Sequence, residues 1–289
     1  MPTKKTKKTT TRSEPFDIYV VGLGIMAVFQ TTREAEEAIR SCNHALYVDH
    51  SLGVAEYLKG LCGKATSLLN LYQEHESRLE TYRSMAATVI EAALTEPPVC
   101  FAAYGHPTMY VYPTVLIRKA ASLLNLKVHV VPGISIFDTA IVDLGFDPGI
   151  TGFQMYEATA VLVEERALQP DVPCLLLQVD TVESALFTRA QSTPERFRRL
   201  QKHLLKFYPP SHVVTALYSS TFPILPPIRD SFPLSELPER AVRGAQSGTL
   251  YIPPIQRTGK RDTRLEKQLY DPKHLAKITA SSQRSRTKA

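Results

Sequence analysis

The sequence predicts an α/β protein made of two α/β subdomains. Short apolar runs alternate with helical patterns through the first half of the 289 residues, which is typical of β-turn-α units and a mostly parallel sheet. The runs end abruptly in Gly or Pro, as buried strands do. After residues 147–149 (DPG) the order of elements changes, which indicates a second subdomain.

The elements of the first half follow from the hydrophobic pattern. Residues 16–21 predict a buried first strand that ends at Gly22 and Gly24. Residues 77–94 form the clearest helix, because their apolar side chains recur at three- and four-residue steps. The remaining predicted elements are helices at residues 33–41, 54–61, 113–124 and 137–144 and strands at residues 45–48, 99–103 and 127–131.

The second half predicts fewer helices. Residues 222–237 are rich in Pro and predict a loop, since Pro cannot donate a hydrogen bond to a strand ladder. The other predicted elements are strands at residues 158–163, 174–179, 212–219 and 249–252 and an amphipathic helix at residues 194–207.

The predicted organisation has four parts. Residues 1–15 are a disordered basic tail, residues 16–145 an N-terminal α/β subdomain, residues 146–255 a C-terminal α/β subdomain, and residues 256–289 a second basic tail. Within that second tail, residues 265–278 have the pattern of a short amphipathic helix, with disorder as the alternative.

Composition limits the class of protein. Apolar residues make up 44% and charged residues 21% of the chain, which is ordinary for a soluble globular protein. No apolar stretch reaches the ~18 residues of a membrane span, and the N-terminus lacks the apolar segment of a secretory signal. Cys42, Cys62, Cys100 and Cys174 show no CxxC spacing. We therefore expect a cytoplasmic protein without a metal site or disulfide scaffold.

The basic charge of the chain is confined to its two ends. The net charge is +6, but residues 1–15 carry +4 and residues 256–289 carry +7, which leaves −5 on the body. Such tails are most often solvated. The body shows no Arg/aromatic pattern of a nucleic-acid platform, so we expect no nucleic-acid partner and no membrane partner.

Three Gly-containing turns stand where predicted strands end: residues 22–24 (GLG), 104–107 (YGHP) and 131–135 (VPGIS). In open α/β sheets, ligands bind at this carboxyl edge. The first turn lacks the third Gly and the later acidic residue of a dinucleotide site, which argues against a nicotinamide cofactor. A purely structural interpretation stays open for each turn, namely a tight turn, a hydrogen-bonded His106 and a helix cap at Ser135.

A fourth group lies on the helix predicted at residues 77–94. Arg78 and Tyr82 are four residues apart and share one face. With Tyr72 nearby, they can orient a carbonyl group and stabilise negative charge that develops on it. The alternative is an Arg stem packed on aromatic rings.

Taken in order, the three turns resemble the tetrapyrrole methylase superfamily of S-adenosylmethionine-dependent methyltransferases. Residues 71–82, 155–158 (MYEA) and 249–254 (TLYIPP) narrow the resemblance to the borosin peptide backbone α-N-methyltransferases. The resemblance covers about residues 16–255. It implies an S-adenosylmethionine site in the cleft between the two subdomains, S-adenosylhomocysteine as product, a homodimer, and iterative methylation of ribosomal peptides.

The resemblance also implies which residues form the site. Arg78, Tyr82 and Tyr104 match catalytic positions, and Tyr72 matches a supporting tyrosine. The implied cofactor contacts are Tyr104, His106, Met109, Ile136, Gln178, Gly248 and Thr249, together with Leu23 of the GLG turn. The chain departs from the fungal enzymes at residues 74–76, where the loop is shorter and an expected second tyrosine is missing.

Under this hypothesis, Arg78 polarises the amide carbonyl, and Tyr82 or Tyr104 takes the amide proton, helped by the Arg charge, which would lower a tyrosine pKa. Residues 281–289 hold no Val/Ile/Gly run, so we expect a separate precursor peptide supplied in trans. The alternatives are a methyltransferase for a small, tetrapyrrole-like molecule and a non-catalytic binding subunit.

Overall fold

The computed structural model describes residues 15–243, 248–256 and 262–279. The described residues up to Pro254 form one compact unit, and those from Ile255 onward form a second. The first unit contains two five-stranded sheets, one on each side of the predicted boundary between residues 145 and 146. The predicted fold class is therefore confirmed, and the exact domain bounds stay a prediction.

The first sheet is parallel throughout and has helices on both faces. Its strands are β1 (Ile18–Gly22), β2 (His44–Val48), β3 (Ala65–Ser67), β4 (Val99–Ala103) and β5 (Val128–Val131). They lie in the order β3-β2-β4-β1-β5. The helices around them are α1 (Arg33–Arg40), α2 (Val54–Cys62), α3 (Arg78–Thr95) and α4 (Tyr112–Leu123).

The sequence of strand β1 is a continuous apolar run because the strand is buried on both faces of the sheet. Successive side chains of a strand point to opposite faces. Ile18 and Val20 enter the core shared with α3 and α4, whereas Tyr19 and Val21 enter the core shared with α1 and α2. Because both faces are covered, no position of the strand favours a polar residue.

The second sheet is mixed. Its strands are β6 (Gln154–Glu157), β7 (Cys174–Leu177), β8 (Val213–Tyr218), β9 (Ile228–Pro233) and β10 (Thr249–Ile252), in the order β6-β7-β10-β8-β9. Strands β6 and β7 are parallel, and the other neighbouring pairs are antiparallel. The helices of this half are α5 (Ile136–Leu144), α6 (Pro148–Thr151), α7 (Ala158–Val163), α8 (Glu195–Leu204) and α9 (Leu237–Arg243).

The two faces of the second sheet are covered differently. Helices α7, α8 and α9 share one large core with it. On the opposite face, Ala140 and Phe137 of α5 pack with Leu175 and Leu217 of the sheet. Helix α5 follows the last strand of the first sheet along the chain, so it carries the connection from one sheet to the face of the other.

Two predicted elements of this half are wrong. Residues 158–163 form a helix and not a strand, because the Glu157 carboxylate accepts hydrogen bonds from the Thr159 and Ala160 N–H groups at 3.0 and 2.5 Å and caps it. The Pro-rich residues 222–237 include strand β9 instead of being loop throughout. That strand lies at the edge of the sheet, where Pro233 is tolerated at its end.

The second unit holds two short helices, α10 (Thr263–Gln268) and α11 (Pro272–Ile278). The single helix predicted at residues 265–278 is divided because Asp271 caps a new helix that begins with Pro272. Apart from Pro15, the tail predicted to be disordered at residues 1–15 lies outside the described residues. None of the described helices has the length and apolarity needed to cross a bilayer.

Three glycines at the carboxyl edge of the first sheet touch through their backbones. A Cβ atom on Gly22 would lie 2.5 Å from the Gly105 carbonyl oxygen and 2.8 Å from Gly133 Cα. A Cβ atom on Gly133 would lie 2.5 Å from the same Gly105 oxygen. The turns predicted from the GLG, YGHP and VPGIS segments therefore pack together with no space for a side chain.

We expect Gly133→Ala to lower the free energy of unfolding by about 1–3 kcal/mol, because the added methyl group overpacks rigid backbone. Urea denaturation followed by circular dichroism measures the change. Gly60→Ala is the matched control: Gly60 lies in α2 with nothing within 4 Å of its would-be Cβ, and Ala favours helix. Equal stability of the two variants would contradict the packing argument.

Candidate active site

A cleft of about 690 Å³ opens between the carboxyl edge of the first sheet and the second sheet. This volume is in the range of small-molecule sites. The turns that follow β4 and β5 form one wall. The ends of β7 and β8, the start of β9 and the segment before β10 form the other wall.

Seven of the eight residues predicted to contact the cofactor line this cleft. They are Tyr104, His106, Met109, Ile136, Gln178, Gly248 and Thr249. The eighth, Leu23, is fully buried in the core of the first sheet, so its side chain does not reach the cleft. The fold thus gathers residues from both subdomains around one space, while their roles stay predictions.

Backbone hydrogen bonds hold the YGHP turn at the cleft wall. The Tyr104 N–H donates to the Val48 carbonyl at 3.0 Å, and Gly105 exchanges two hydrogen bonds with Gly24 at 2.9 and 3.1 Å. Nδ1 of His106 accepts the Thr108 N–H at 3.3 Å. Thr108 thus helps to orient the His106 ring at the cleft wall.

Two bulky residues that line the cleft have left-handed backbone conformations. Tyr110 has φ 59° and Gln178 has φ 57°, a region that side chains larger than Gly rarely adopt. The Val179 N–H donates to the Gly248 carbonyl at 3.1 Å and so keeps Gln178 beside Gly248. Backbone strain of this kind collects at ligand sites.

The segment at residues 219–228 forms part of the cleft wall, which the sequence did not predict. The Ser219 hydroxyl donates to the Asp143 carboxylate of α5, and the Phe222 ring meets the Phe29 ring edge-on at 5.5 Å. Leu225 and Ile228 line the cleft and are largely exposed. The only available signal was a group of apolar residues among prolines in a segment that predicted a loop.

The lining of the cleft is largely apolar, with a few hydrogen-bonding side chains. None of its lining residues among those that the structure describes is Asp, Glu, Lys or Arg. In the GLG turn, the Ile25 and Met26 N–H groups donate to the Gln30 side chain at 2.8 and 2.9 Å. The turn is therefore closed on itself and is not a cradle for a diphosphate.

Ser135, where the sequence left helix capping and ligand binding open, does cap α5. Its hydroxyl accepts the Asp138 N–H at 3.3 Å, and the Asp138 carboxylate accepts the Ser135 N–H at 2.6 Å. This reciprocal pair is a capping box. Ser135 also lines the cleft, so capping brings the first turn of α5 to the site.

The remaining predicted catalytic residues form a second cluster beside the core of the first sheet. The Tyr72 and Tyr82 rings meet edge-on at 6.4 Å, and Tyr82 lies 6.4 Å from the ring of Tyr112. The Arg78 guanidinium donates to the Ser184 carbonyl. These side chains do not line the cleft, but Tyr112 directly follows two residues that do. The structure thus brings Arg78, Tyr72 and Tyr82 together and puts Tyr104 in the cleft.

Two tyrosines of the site, Tyr104 and Tyr72, have raised pKa values. Burial raises the pKa of Tyr104 to about 12, and the nearby Asp49 charge adds to this rise. Burial also raises the pKa of Tyr72, Tyr82 adds to it, and the Arg78 charge offsets only part. Both hydroxyls therefore stay protonated at neutral pH and serve as hydrogen-bond donors.

Asp49 is a buried carboxyl whose charge acts on Tyr104, and the sequence analysis did not identify it. It directly follows β2 and is 3% exposed. One carboxylate oxygen accepts the Ser51 N–H at 2.6 Å, while the other is buried without a hydrogen-bond partner. Burial raises the pKa of this carboxyl, and the Ser51 hydrogen bond partly opposes the rise. Such a group is costly to the fold and typical of functional sites.

The sequence matches the family model of the Tetrapyrrole (Corrin/Porphyrin) Methylases over residues 17–215. The chain belongs to this family. The matched residues include the whole first sheet and, of the second sheet, strands β6 and β7 and the first half of β8. The predicted superfamily is therefore confirmed.

The chain is also similar to fungal proteins. It is 28% identical to a methyltransferase/ribosomally synthesized cyclic peptide dendrothelin A precursor of Dendrothele bispora, over 86% of this chain and 60% of that protein. It is 30% identical to a methyltransferase/ribosomally synthesized type I borosin cyclic peptide precursor of Coprinopsis marcescibilis, over 81% of this chain and 61% of that protein. The resemblance to borosin enzymes is confirmed, and the chain spans about 60% of the length of these relatives.

Solved structures of methyltransferases share the fold. A uroporphyrin III C-methyl transferase from Thermus thermophilus superposes with a TM-score of 0.57 at 15% identity, covering 86% of this chain and 99% of that one. The methyltransferase CobJ superposes with a TM-score of 0.52 at 14% identity, covering 84% of this chain and 96% of that one. At these identities the likeness supports the two-sheet architecture alone.

We expect Asp49→Asn to be at least as stable as the unmodified protein at pH 8, as measured by the urea midpoint. Because the folded-state pKa is raised, the ionised carboxylate lowers native stability at high pH. That penalty fades as the pH falls through the raised pKa, so the difference closes toward the ordinary Asp pKa of about 3.9.

Asp147→Asn is the control for this pH series. Asp147 is an exposed carboxylate that accepts the Gly149 N–H at 2.8 Å, a two-residue turn like that of Asp49 with Ser51. Its replacement measures what the loss of an exposed turn carboxylate does to the midpoint, and the Asp49→Asn series is compared with it. An Asp49→Asn protein that is less stable at pH 8 would show that the second oxygen has an attractive partner.

Proposed function

We propose that this protein is an S-adenosylmethionine-dependent methyltransferase that methylates backbone amides of a ribosomal peptide, repeatedly along the chain. The observation that carries the proposal is the gathering of seven predicted cofactor positions around one cleft, in a chain whose relatives are named methyltransferases and cyclic peptide precursors.

The residues of the cleft fit S-adenosylmethionine. A Cβ atom on Gly105 would have only Ile25 Cδ1 near it, at 3.6 Å, so this glycine leaves open space at the wall. A lining of apolar and hydrogen-bonding side chains suits the adenosine part of the cofactor, and without Lys or Arg among its described residues it has no cation to pair with a phosphate ester. His106 and Gln178 can hydrogen-bond its polar groups. When bound, the cofactor supplies an electrophilic methyl group on a sulfonium.

The second cluster, formed by Tyr72, Arg78 and Tyr82, would activate the peptide amide that accepts the methyl group. An amide nitrogen is a weak nucleophile because its lone pair is delocalised into the carbonyl. Arg78 has one guanidinium N–H engaged by the Ser184 carbonyl, and its other N–H groups can donate to the substrate carbonyl oxygen and stabilise negative charge there. Tyr82 lies beside Tyr72 in the same cluster as Arg78, and we assign it to receive the amide proton, directly or through water.

The decisive experiment incubates the purified protein with S-adenosylmethionine and a synthetic peptide that has a Val/Ile/Gly-rich core. We expect S-adenosylhomocysteine and peptide products with methyl groups on backbone nitrogens, located by tandem mass spectrometry. Arg78→Ala and Tyr82→Phe should bind S-adenosylmethionine with unchanged affinity in calorimetry but lose about a hundredfold or more in turnover. Arg83→Ala, on the exposed side of α3 and paired with Glu80, is the control and keeps turnover.

Three other outcomes separate the alternatives. Methyl groups on the enzyme itself would show that the substrate is a segment of its own chain and not the separate peptide that we propose. Transfer to a tetrapyrrole acceptor and none to peptides would favour the small-molecule function, which the family model and the shared fold support. Full turnover by Arg78→Ala would refute the assigned role.

We further propose a cytoplasmic homodimer. All four cysteines are free thiols, which suits a reducing compartment. Helices α3 and α4 present exposed apolar side chains at Leu94, Val115 and Leu123, a surface that a partner could cover. Sedimentation velocity should give a species of twice the 32.2 kDa chain mass. A single species of one chain mass at assay concentration would contradict the dimer.

A further inference from the structure

A segment between β7 and α8 lies across the predicted catalytic cluster. This segment, residues 184–189, is called the strap below. It runs antiparallel to residues 74–78, with the Phe187 N–H donating to the Glu76 carbonyl and the His75 N–H donating to the Phe187 carbonyl, both at 2.8 Å. The Arg78 N–H donates to the Ala185 carbonyl at 2.9 Å. A backbone ladder therefore ties the second half of the unit to the start of α3.

Side chains secure the far end of the strap. The Glu74 carboxylate accepts the Arg189 N–H at 3.1 Å and the Thr188 hydroxyl. The Arg189 guanidinium lies over the Phe187 ring, 5.0 Å from its centre. Glu74 comes from the first half of the unit, so one carboxylate holds two groups of the strap in place.

The strap also touches two predicted catalytic side chains. Its first carbonyl, on Ser184, accepts from the Arg78 guanidinium. The Phe187 ring packs against the Tyr72 ring at 4.9 Å, and Tyr72 in turn meets Tyr82. Arg78 and Tyr72 are half-buried, so their directions depend on these neighbours.

We propose that the strap is a positioning element for methyl transfer, which aims Arg78 through the Ser184 carbonyl and Tyr72 through the Phe187 ring. This inference rests on the proposed function. Arg78 and Tyr72 belong to the half with the first sheet, whereas the strap belongs to the half with the second sheet. The acceptor side of the site is therefore complete only when the strap lies on residues 74–78, and Phe187 is its positioning residue.

The first experiment measures, without any substrate, how firmly the strap is held on residues 74–78. In Glu74→Ala, amide hydrogen exchange across residues 184–189 should rise about tenfold or more, because the Thr188 and Arg189 contacts are lost. Glu80→Ala is the matched control, since Glu80 lies on α3 and pairs with Arg83 away from the strap. Equal exchange in the two variants would overturn the role of Glu74 in holding the strap.

The second experiment measures the kinetics of peptide methylation. Phe187→Ala should lower kcat for peptide methylation by about tenfold to a hundredfold, with the KM for S-adenosylmethionine within twofold, because a misaimed acceptor slows chemistry and not cofactor binding. Phe187→Tyr should keep most of the rate. An unchanged kcat in Phe187→Ala, or a loss in Phe187→Tyr equal to that in Phe187→Ala, would overturn the positioning role.

The two experiments also separate this inference from the function on which it rests. A protein that methylates no peptide would refute the proposed function and, with it, the catalytic meaning of the strap. The exchange experiment would still decide whether Glu74 holds the strap on residues 74–78. A protein that methylates peptides while both variants behave as wild type would refute the strap alone.

Discussion

Backbone contact among Gly22, Gly105 and Gly133 is the constraint on which the rest of the structure depends. The Gly105 carbonyl oxygen lies so close to the other two glycines that neither can carry a Cβ atom. The ends of β1, β4 and β5 are thereby brought to one point. Tyr104 and His106 flank Gly105 along the chain, and Ser135 follows Gly133, so the same contact determines where these cleft residues stand.

Around that point the molecule separates two kinds of chemistry. The cleft has hydrogen-bonding groups and no formal charge on its described lining residues, whereas the neighbouring cluster holds a cation, Arg78, among aromatic rings. Tyr104 lines the cleft, and burial and the Asp49 charge both raise the pKa of its hydroxyl. The arrangement suits the proposed reaction, in which the cleft would hold the methyl donor and the Arg78 cation would stabilise charge on the acceptor.

How much could be predicted from the sequence depended on burial and on position in the sheet. Strands β1, β2, β4 and β5 of the first sheet were predicted because helices cover both faces, so each is a mostly apolar run. The three-residue β3 at the sheet edge was missed. Residues 158–163 are just as apolar, but Glu157 supplies a helix cap whose effect no periodicity contains. Strand β9 was not predicted because its prolines indicated a loop, although prolines are allowed at a sheet edge. For the same reason the sequence did not predict that residues 219–228 form part of the cleft wall.

The sequence by itself determined the α/β class, the three glycine turns at strand ends and, through resemblance, seven residues that now surround one cleft. These features are local or carried by motifs, so a linear reading suffices. Only the tertiary structure decided three other features. They are the buried Asp49 oxygen without a hydrogen-bond partner, the raised pKa of Tyr104, and the hydrogen bond from Arg78 to the strap. The hydrogen bond between Glu74 and Arg189, which are far apart in the chain, forms only when the two halves pack. The pKa values of Asp49 and Tyr104 likewise depend on what surrounds each group in space and not on its neighbours in sequence.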